Sequence, residues 1–383
     1  MLNRGIKILY ITNARIPTEK AHGFQIVKMC EEFSRQGAIL ELILPYRKNN
    51  IKKDIFNFYN VQNNFRVKYY KGIDFIALEK FFFNKGYYLQ SLSFFFRNLF
   101  IGPSKETIIY TRSLEIAWLF STRGYDTFFE AHYWPSSNGA LYKFFLKKIS
   151  GIVCNSQGTL NKHKENGFKN LLVAPNGVDI KEFDDIIDDK KILREKLLLP
   201  LDKKILMYVG HLYKWKGIDL LIKLAELLKN RQDVIFYILG GTDKDIKKYK
   251  EFCKDNSILN VVFLGMIDKK IVPHYLKSAD LLFLPNISSS EESIKYTSPI
   301  KMFEYMASKV PIVASDLPSI REILNNNNAF LFKADDAVDF KEKTLLALGE
   351  LDLAKQKLMQ AYKDVSNFTW INRAKNIFKF IKK

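Results

Sequence analysis

Short apolar runs alternate with longer amphipathic stretches along this chain, and the alternation is repeated in each half. KILYIT (7–12) precedes the polar loop NARIPTEKAHGF, the amphipathic IVKMCEEFSRQG closed by Gly37, and a second apolar run at 39–44. TIIYT (107–111), TFFEA (127–131), GIVCN (151–155) and 171–174 continue the series. In the second half, 205–209, 234–239, 261–264, 280–284 and 310–314 repeat it, with an amphipathic helix at 218–228 after the loop GHLYKWKG. Apolar runs this short read as strands buried on both faces, and apolar spacings of three and four read as the helices that cover them. The pattern restricts the chain to the α/β class, as two Rossmann-like, doubly wound parallel sheets whose C-terminal strand edges are expected to face across a cleft.

Length supports the same division, because 383 residues exceed what one core normally serves. The turn Pro175-Asn176-Gly177 and the charged KEFDDIIDDKKILREKL read as the connection between domains. The expected boundaries are 1–180 for an N-terminal domain and 200–365 for a C-terminal one. A basic amphipathic helix at 366–383 is expected to pack back on the first.

The formal charge is +19, from 60 basic and 41 acidic side chains, which favours phosphates, nucleic acid or anionic lipid as partners. A codon bias toward Lys, Asn, Ile, Phe and Tyr accounts for the same numbers. The basic residues are spread along the chain and gather in no nucleic-acid module, so nucleic acid is not an expected partner. Cys30, Cys154 and Cys253 match no metal spacing and read as free thiols in a reducing compartment. The chain opens directly into a strand, and no apolar run reaches the roughly 18 residues that cross a bilayer. A cytoplasmic protein is expected, with membrane contact at most peripheral, at the inner face of the plasma membrane. The place for such contact is 75–100, FIALEKFFFNKGYYLQSLSFFFRNLF, where aromatic clusters are punctuated by Lys80, Lys85 and Arg97. An interfacial element and a helix carrying core Phe both have this pattern.

Chemistry concentrates at 286–322. Ser298 reads as an N-cap and Pro299 as the first residue of a helix running through Ser308, so the preceding loop ends in free N–H groups that suit an anion. Ile300, Phe303, Glu304 and Ala307 share one face, which places a carboxylate in an inward stripe. Glu304 then needs a partner: a ligand diol, or a Lys or Arg of the same domain. Lys216, just before Gly217 and a helix start, provides a second anion site, and His211 lies earlier in the same loop. Two anion sites in one domain suit a diphosphate. In the first half, His22-Gly23 sits in the long loop after the first strand, and His132 lies just past the end of TFFEA. Each is a candidate for the acceptor or phosphate side of a ligand crevice, or a plain loop or packing residue. Asp243 and Asp245 form a D-x-D at a helix start, where acidic residues are favourable without any metal.

The runs IKILYIT, VAPNGVDIKEF, MYVGHLYKWKGIDLL, VVFLGMI, ADLLFLPN and SPIKMFEYMASKVPIVASDLPSIREIL resemble a family 4 retaining glycosyltransferase of the GT-B fold. The resemblance covers essentially the whole chain and is most specific in the second half. It implies a nucleoside-diphosphate sugar as donor, held by the C-terminal domain, and a glycan or lipid-linked acceptor held by the N-terminal one, with no metal cofactor. By resemblance, Lys216 binds the donor diphosphate, and Glu304, the second Glu of the E-x7-E signature, binds the ribose. Ser298, Pro299, Ile300, Tyr296, Gly240, Gly241 and Met266 complete the implied donor site, and His132 is implied to lie near the donor sugar. Two positions depart from the pattern. Tyr296 stands where the first Glu of the signature falls, leaving Glu291 or Glu292 as substitutes, and His211 stands where the family has an Arg. A histidine there makes pH-dependent donor binding an expectation. A nucleotide-sugar epimerase, a basic nucleic-acid-binding protein and a catalytically silent membrane-bound partner are the competing readings.

Overall fold

The computed structural model describes residues 5–70, 74–76 and 86–382, the Tyr87 side chain excepted. Its contacts divide into two compact units. The first comprises Met1–Asn155, Thr159–Pro175 and Trp370–Lys383, the second Ser156–Gly158 and Asn176–Thr369.

Among the described residues of the first unit, β1 (Lys7–Ile11), β2 (Ile39–Pro45), β3 (Arg66–Tyr70), β4 (Ile108–Thr111), β5 (Thr127–Ala131), β6 (Gly151–Cys154) and β7 (Leu171–Val173) form one parallel sheet. Its order is β3-β2-β1-β4-β5-β6-β7, so the winding reverses between β1 and β4, where open α/β sheets leave a crevice. Every residue of β4 and β5 is buried, which explains the unbroken apolar runs there. The stretch 46–70 contains β3 and a short helix, Ile55–Tyr59, capped by Asp54. As an edge strand with no fully buried residue, β3 carries none of the apolar signal of the inner strands. The helix Trp370–Ile381 packs against the helix Ala21–Arg35 in this unit, with the Trp370 ring edge-on to Phe24 at 5.7 Å.

Within 75–100, residues 77–85, and with them Lys80 and Lys85, lie outside the described residues. The helix Gly86–Leu99 turns Gln90, Phe94 and Asn98 inward, while Tyr88, Leu92 and Phe96 form an exposed stripe at i, i+4 and i+8. No described helix is long and apolar enough to cross a membrane.

In the second unit, β8 (Lys204–Val209), β9 (Val234–Leu239), β10 (Val261–Gly265), β11 (Leu281–Leu284), β12 (Ile312–Asp316) and β13 (Phe330–Lys333) form a parallel sheet ordered β10-β9-β8-β11-β12-β13. The strand expected at 310–314 is displaced to 312–316 because Pro311 has no N–H to donate; its carbonyl accepts from Leu282 at 3.0 Å, and the ladder proceeds from Ile312. β13 was not expected; its run FLFK is not continuously buried and ends in an exposed lysine. The charged segment expected to connect domains forms the helices Lys181–Asp184 and Lys190–Lys196, which belong to this unit. Arg194 is buried there: it pairs with Asp280 at 2.6 Å and donates to the Ser278 carbonyl, while Asp280 accepts the Ile205 N–H at the start of β8. Those charges secure a strand terminus, a contact that composition alone does not reveal.

Candidate functional site

In the second unit, the loops that follow parallel strands all leave the sheet at one edge, and the candidate residues gather there. Gly240, just past β9, has φ +104°, and a Cβ on it would lie 2.4 Å from the carbonyl oxygen of Gly210, just past β8. Only glycine permits the two loops to approach this closely. Gly240 also donates to the Gly265 carbonyl at 2.6 Å, bringing the end of β10 to the same edge. Gly241 packs under Leu212, and Met266, just past Gly265, is exposed.

The loop after β8 then forms a short 3-10 turn, Lys214–Lys216, closed by Gly217 at φ +79°. A Cβ at Gly217 would sit 1.6 Å from the Pro285 carbonyl oxygen, and Ile287 donates to the Trp215 carbonyl at 3.1 Å. The turn is thereby tied to the loop following β11. The Lys216 ammonium lies 5.3 Å from the Trp215 ring and 5.7 Å from the Tyr213 ring, and burial lowers its pKa to about 8. His211 stacks its ring on Tyr213 with centroids 5.1 Å apart, and its carbonyl accepts from the Tyr208 hydroxyl at 2.9 Å.

The helix carrying Glu304 runs Ile300–Ala307 and is bound to the end of β8, where Val209 N–H donates to the Tyr305 hydroxyl at 2.9 Å. Pro299 is its N-cap, and no side chain caps it. The assignment of Ser298 as cap, with Pro299 inside the helix, is therefore corrected. The Ser298 hydroxyl instead accepts the Asn176 backbone N–H at 3.1 Å, and its carbonyl accepts from the Asn176 amide, so the side chain fixes the loop and leaves the helix terminus uncapped. Phe303 and Ala307 are buried as expected, but so are Lys301, Met302, Tyr305 and Met306. The helix is enclosed on more than one face.

Glu304 forms no ion pair among the described residues. Burial raises its pKa, while the positive charges of Lys269 and Lys301 act against that rise. Lys301 was missed in the sequence, although its position three residues before Glu304 was a readable signal. Its ammonium is buried and stands 3.8 Å from the Tyr208 ring centroid, and burial and Lys216 depress its pKa. Tyr296 ends the turn Glu292–Tyr296 with its ring in the core at 2% exposure. Glu291 is exposed and paired with Lys295 at 2.9 Å. Asp245 reciprocates the Thr242 hydroxyl in a capping box that opens the helix Asp243–Asp255.

In the first unit, His22 and Gly23 lie in the first turn of the helix Ala21–Arg35, which corrects their expected placement in the loop. Gly23 donates to the Lys20 carbonyl at 3.0 Å, and a Cβ on it would strike the Tyr59 hydroxyl at 2.2 Å. Its lack of a side chain serves packing against Tyr59, and its N–H is already used. His132, past the end of β5, places Nε2 2.9 Å from Glu130 Oε1. Burial and then Arg112 lower its pKa to about 4, outweighing the attraction of Glu130; burial and the same arginine bring His22 to about 4. Both imidazoles are thus neutral near pH 7. Glu130 is the hub: it also accepts from Gln25 at 3.0 Å, Tyr110 at 2.8 Å and Arg373 at 2.9 Å. Glu130 was missed in the sequence, where an acid inside an otherwise apolar strand run was the readable signal.

Residues 189–363 match the family model described as glycosyl transferases group 1, so the second unit carries a domain of that kind. The Bacillus subtilis (strain 168) protein TuaC, described as a glycosyltransferase of teichuronic acid biosynthesis, is 26% identical over 233 residues, 60% of this chain and 54% of TuaC. The chain thus spans about half the length of that relative. The sucrose-phosphate synthase of Thermosynechococcus elongatus superposes with a TM-score of 0.75 at 16% identity, over 98% of both chains. Anabaena Alr3699/HepE, solved with UDP and glucose, also gives 0.75 at 16% identity, over 98% of this chain and 99% of its own. At such identities the likeness concerns the fold, which is GT-B, with two Rossmann-like parallel-sheet domains.

Proposed function

We propose that this chain is a family 4, retaining glycosyltransferase that moves a sugar from a nucleoside-diphosphate sugar to a glycan or lipid-linked acceptor in surface polysaccharide or glycolipid synthesis. In this reading residues 200–365 hold the donor and residues 1–180, with the helix at 366–383, hold the acceptor. The observation that carries it is the convergence of Lys216, Lys301 and Glu304 at the glycine-lined strand edge of the second unit. The polysaccharide role follows the description of TuaC.

Breaking the glycosidic bond leaves negative charge on the departing diphosphate oxygens. Lys216 and the uncapped start of the helix Ile300–Ala307 are suited to stabilise that charge, and Glu304 to accept hydrogen bonds from the ribose hydroxyls. The ammonium groups neutralise the diphosphate in this scheme, so no metal is invoked. With retention of configuration, the departing phosphate takes the proton of the acceptor hydroxyl. His132, neutral and oriented by Glu130, is assigned a hydrogen-bonding role toward a sugar hydroxyl. Tyr296 leaves the sugar without the carboxylate usual at that position.

A lipid-linked acceptor at the inner membrane face is supported by the exposed stripe of Tyr88, Leu92 and Phe96, continued by Phe100 at 89% exposure. Flotation with anionic liposomes tests this part; no binding at low salt removes it. The donor assignment is tested by a thermal-shift screen of UDP-, GDP- and ADP-sugars. One nucleotide at about 100 times its Kd should stabilise the protein by about 2.7 kcal/mol. The absence of a shift with every nucleotide would sink the assignment.

A further inference from the structure

Lys301 is buried in the second unit. The residue is 7% exposed, its Nζ makes no hydrogen bond, and it forms no ion pair among the described residues. Burying an ammonium this way is costly and persists only where something else compensates. The Tyr208 ring, 3.8 Å away at its centroid, offers its negative face but no acceptor lone pair. The nearest charges are mixed: Lys216, from the turn after β8, opposes the Lys301 charge, and Glu304, one turn along the same helix, favours it. Lys301 thus lies near one like charge and one opposite charge.

The direction of the side chain is equally specific. A Cβ at Gly210 would lie 3.7 Å from Lys301 Nζ, so the ammonium points at the glycine-lined mouth of β8 and β9 and not at the solvent beyond the helix. A side chain at Gly210 would crowd that approach.

We propose that Lys301 is an anion-binding residue of this site that, together with Lys216, contacts the diphosphate of a nucleoside diphosphate. Near neutral pH a nucleoside diphosphate carries about one negative charge more than the monophosphate and spreads its charge over two phosphates, so a second ammonium at the same edge favours the diphosphate. The inference rests on the donor reading given above and adds to it a residue that discriminates between diphosphate and monophosphate.

Titration calorimetry on the full chain decides it, with UDP, GDP, ADP, their monophosphates and inorganic pyrophosphate as probes. Lys301→Met should weaken the preferred diphosphate, and pyrophosphate, by about ten- to a hundredfold, the range of one hydrogen bond to a charged group. Its monophosphate affinity should stay within roughly threefold of the parent value. Lys301→Gln provides the same comparison should the methionine variant not fold. Unchanged diphosphate affinity, or equal loss for monophosphate and diphosphate, would overturn the assignment. If the unaltered chain binds no nucleoside diphosphate, the donor reading itself fails; if it binds one and Lys301→Met binds it equally, only this inference fails.

Discussion

Arg373 Nη2 donates to Glu130 Oε1 at 2.9 Å, joining two buried side chains 243 residues apart in sequence within the first unit. Arg373 also donates to the carbonyls of Ala174 and Pro175, so the helix Trp370–Ile381 holds the end of this unit's sheet as well as its strand β5. Arg373→Met leaves the Glu130 carboxylate buried without its main counter-charge. A destabilisation of about 3–5 kcal/mol is expected, measured as a lower urea midpoint at unchanged m-value.

Acid sensitivity should follow from the two histidines. Both His22 and His132 have folded pKa values near 4, set by burial and Arg112, below the ordinary value of 6.5. Between these values the unfolded chain binds more protons, so stability rises with pH there and is lost as pH falls from 6.5 toward 4. His132→Asn and His22→Asn should each flatten the dependence of Tm on pH across that window. Parallel curves for variant and parent would refute the assignment.

Lys216 gives a complementary alkaline effect. Its ammonium, lowered to about 8 by burial, must be protonated to bind a diphosphate, so affinity for the preferred nucleotide should decline as pH rises above 8. Free-chain stability should move oppositely, rising from pH 8 toward the unfolded value of 10.5, because the unfolded state holds the extra proton. Calorimetry and thermal melts across this range test both signs, and Lys216→Ala should remove both trends.

Glu304 is expected to act through the ribose. Glu304→Ala should reduce nucleotide affinity by about tenfold or more, and a 2′,3′-dideoxynucleotide should show little further loss in that variant. Additive losses in the double comparison would place the carboxylate elsewhere.

The glycines at the strand edge should tolerate no side chain. Gly217→Ala sets a Cβ 1.6 Å from the Pro285 carbonyl oxygen at φ +79°, and Gly240→Ala sets one 2.4 Å from Gly210 O at φ +104°. Each should cost about 3 kcal/mol or more, read as a drop in Tm, whereas alanine at Gly102, which has open space around it, should be nearly neutral.

The α/β class and the inner strands were legible in the sequence because parallel strands buried on both faces leave continuous apolar runs such as KILYI and LLFL. So was the grouping of Lys216 with the helix of Glu304, since both follow strands whose C-terminal ends share an edge. The edge strands β3 and β13, which carry exposed basic residues in place of a continuous buried run, left no such trace. The rest depended on contacts between distant residues. Ser298 has the composition of a cap, yet Asn176 engages it; Arg194 has the composition of a connector, yet Asp280 buries it. Lys301 reads as an ordinary helix lysine until Tyr208 and Gly210 enclose it. Periodicity and local propensity are written in neighbouring residues and determined the elements; which polar groups lose water, and which then lack a partner, is a property of three-dimensional packing that only the tertiary structure decided.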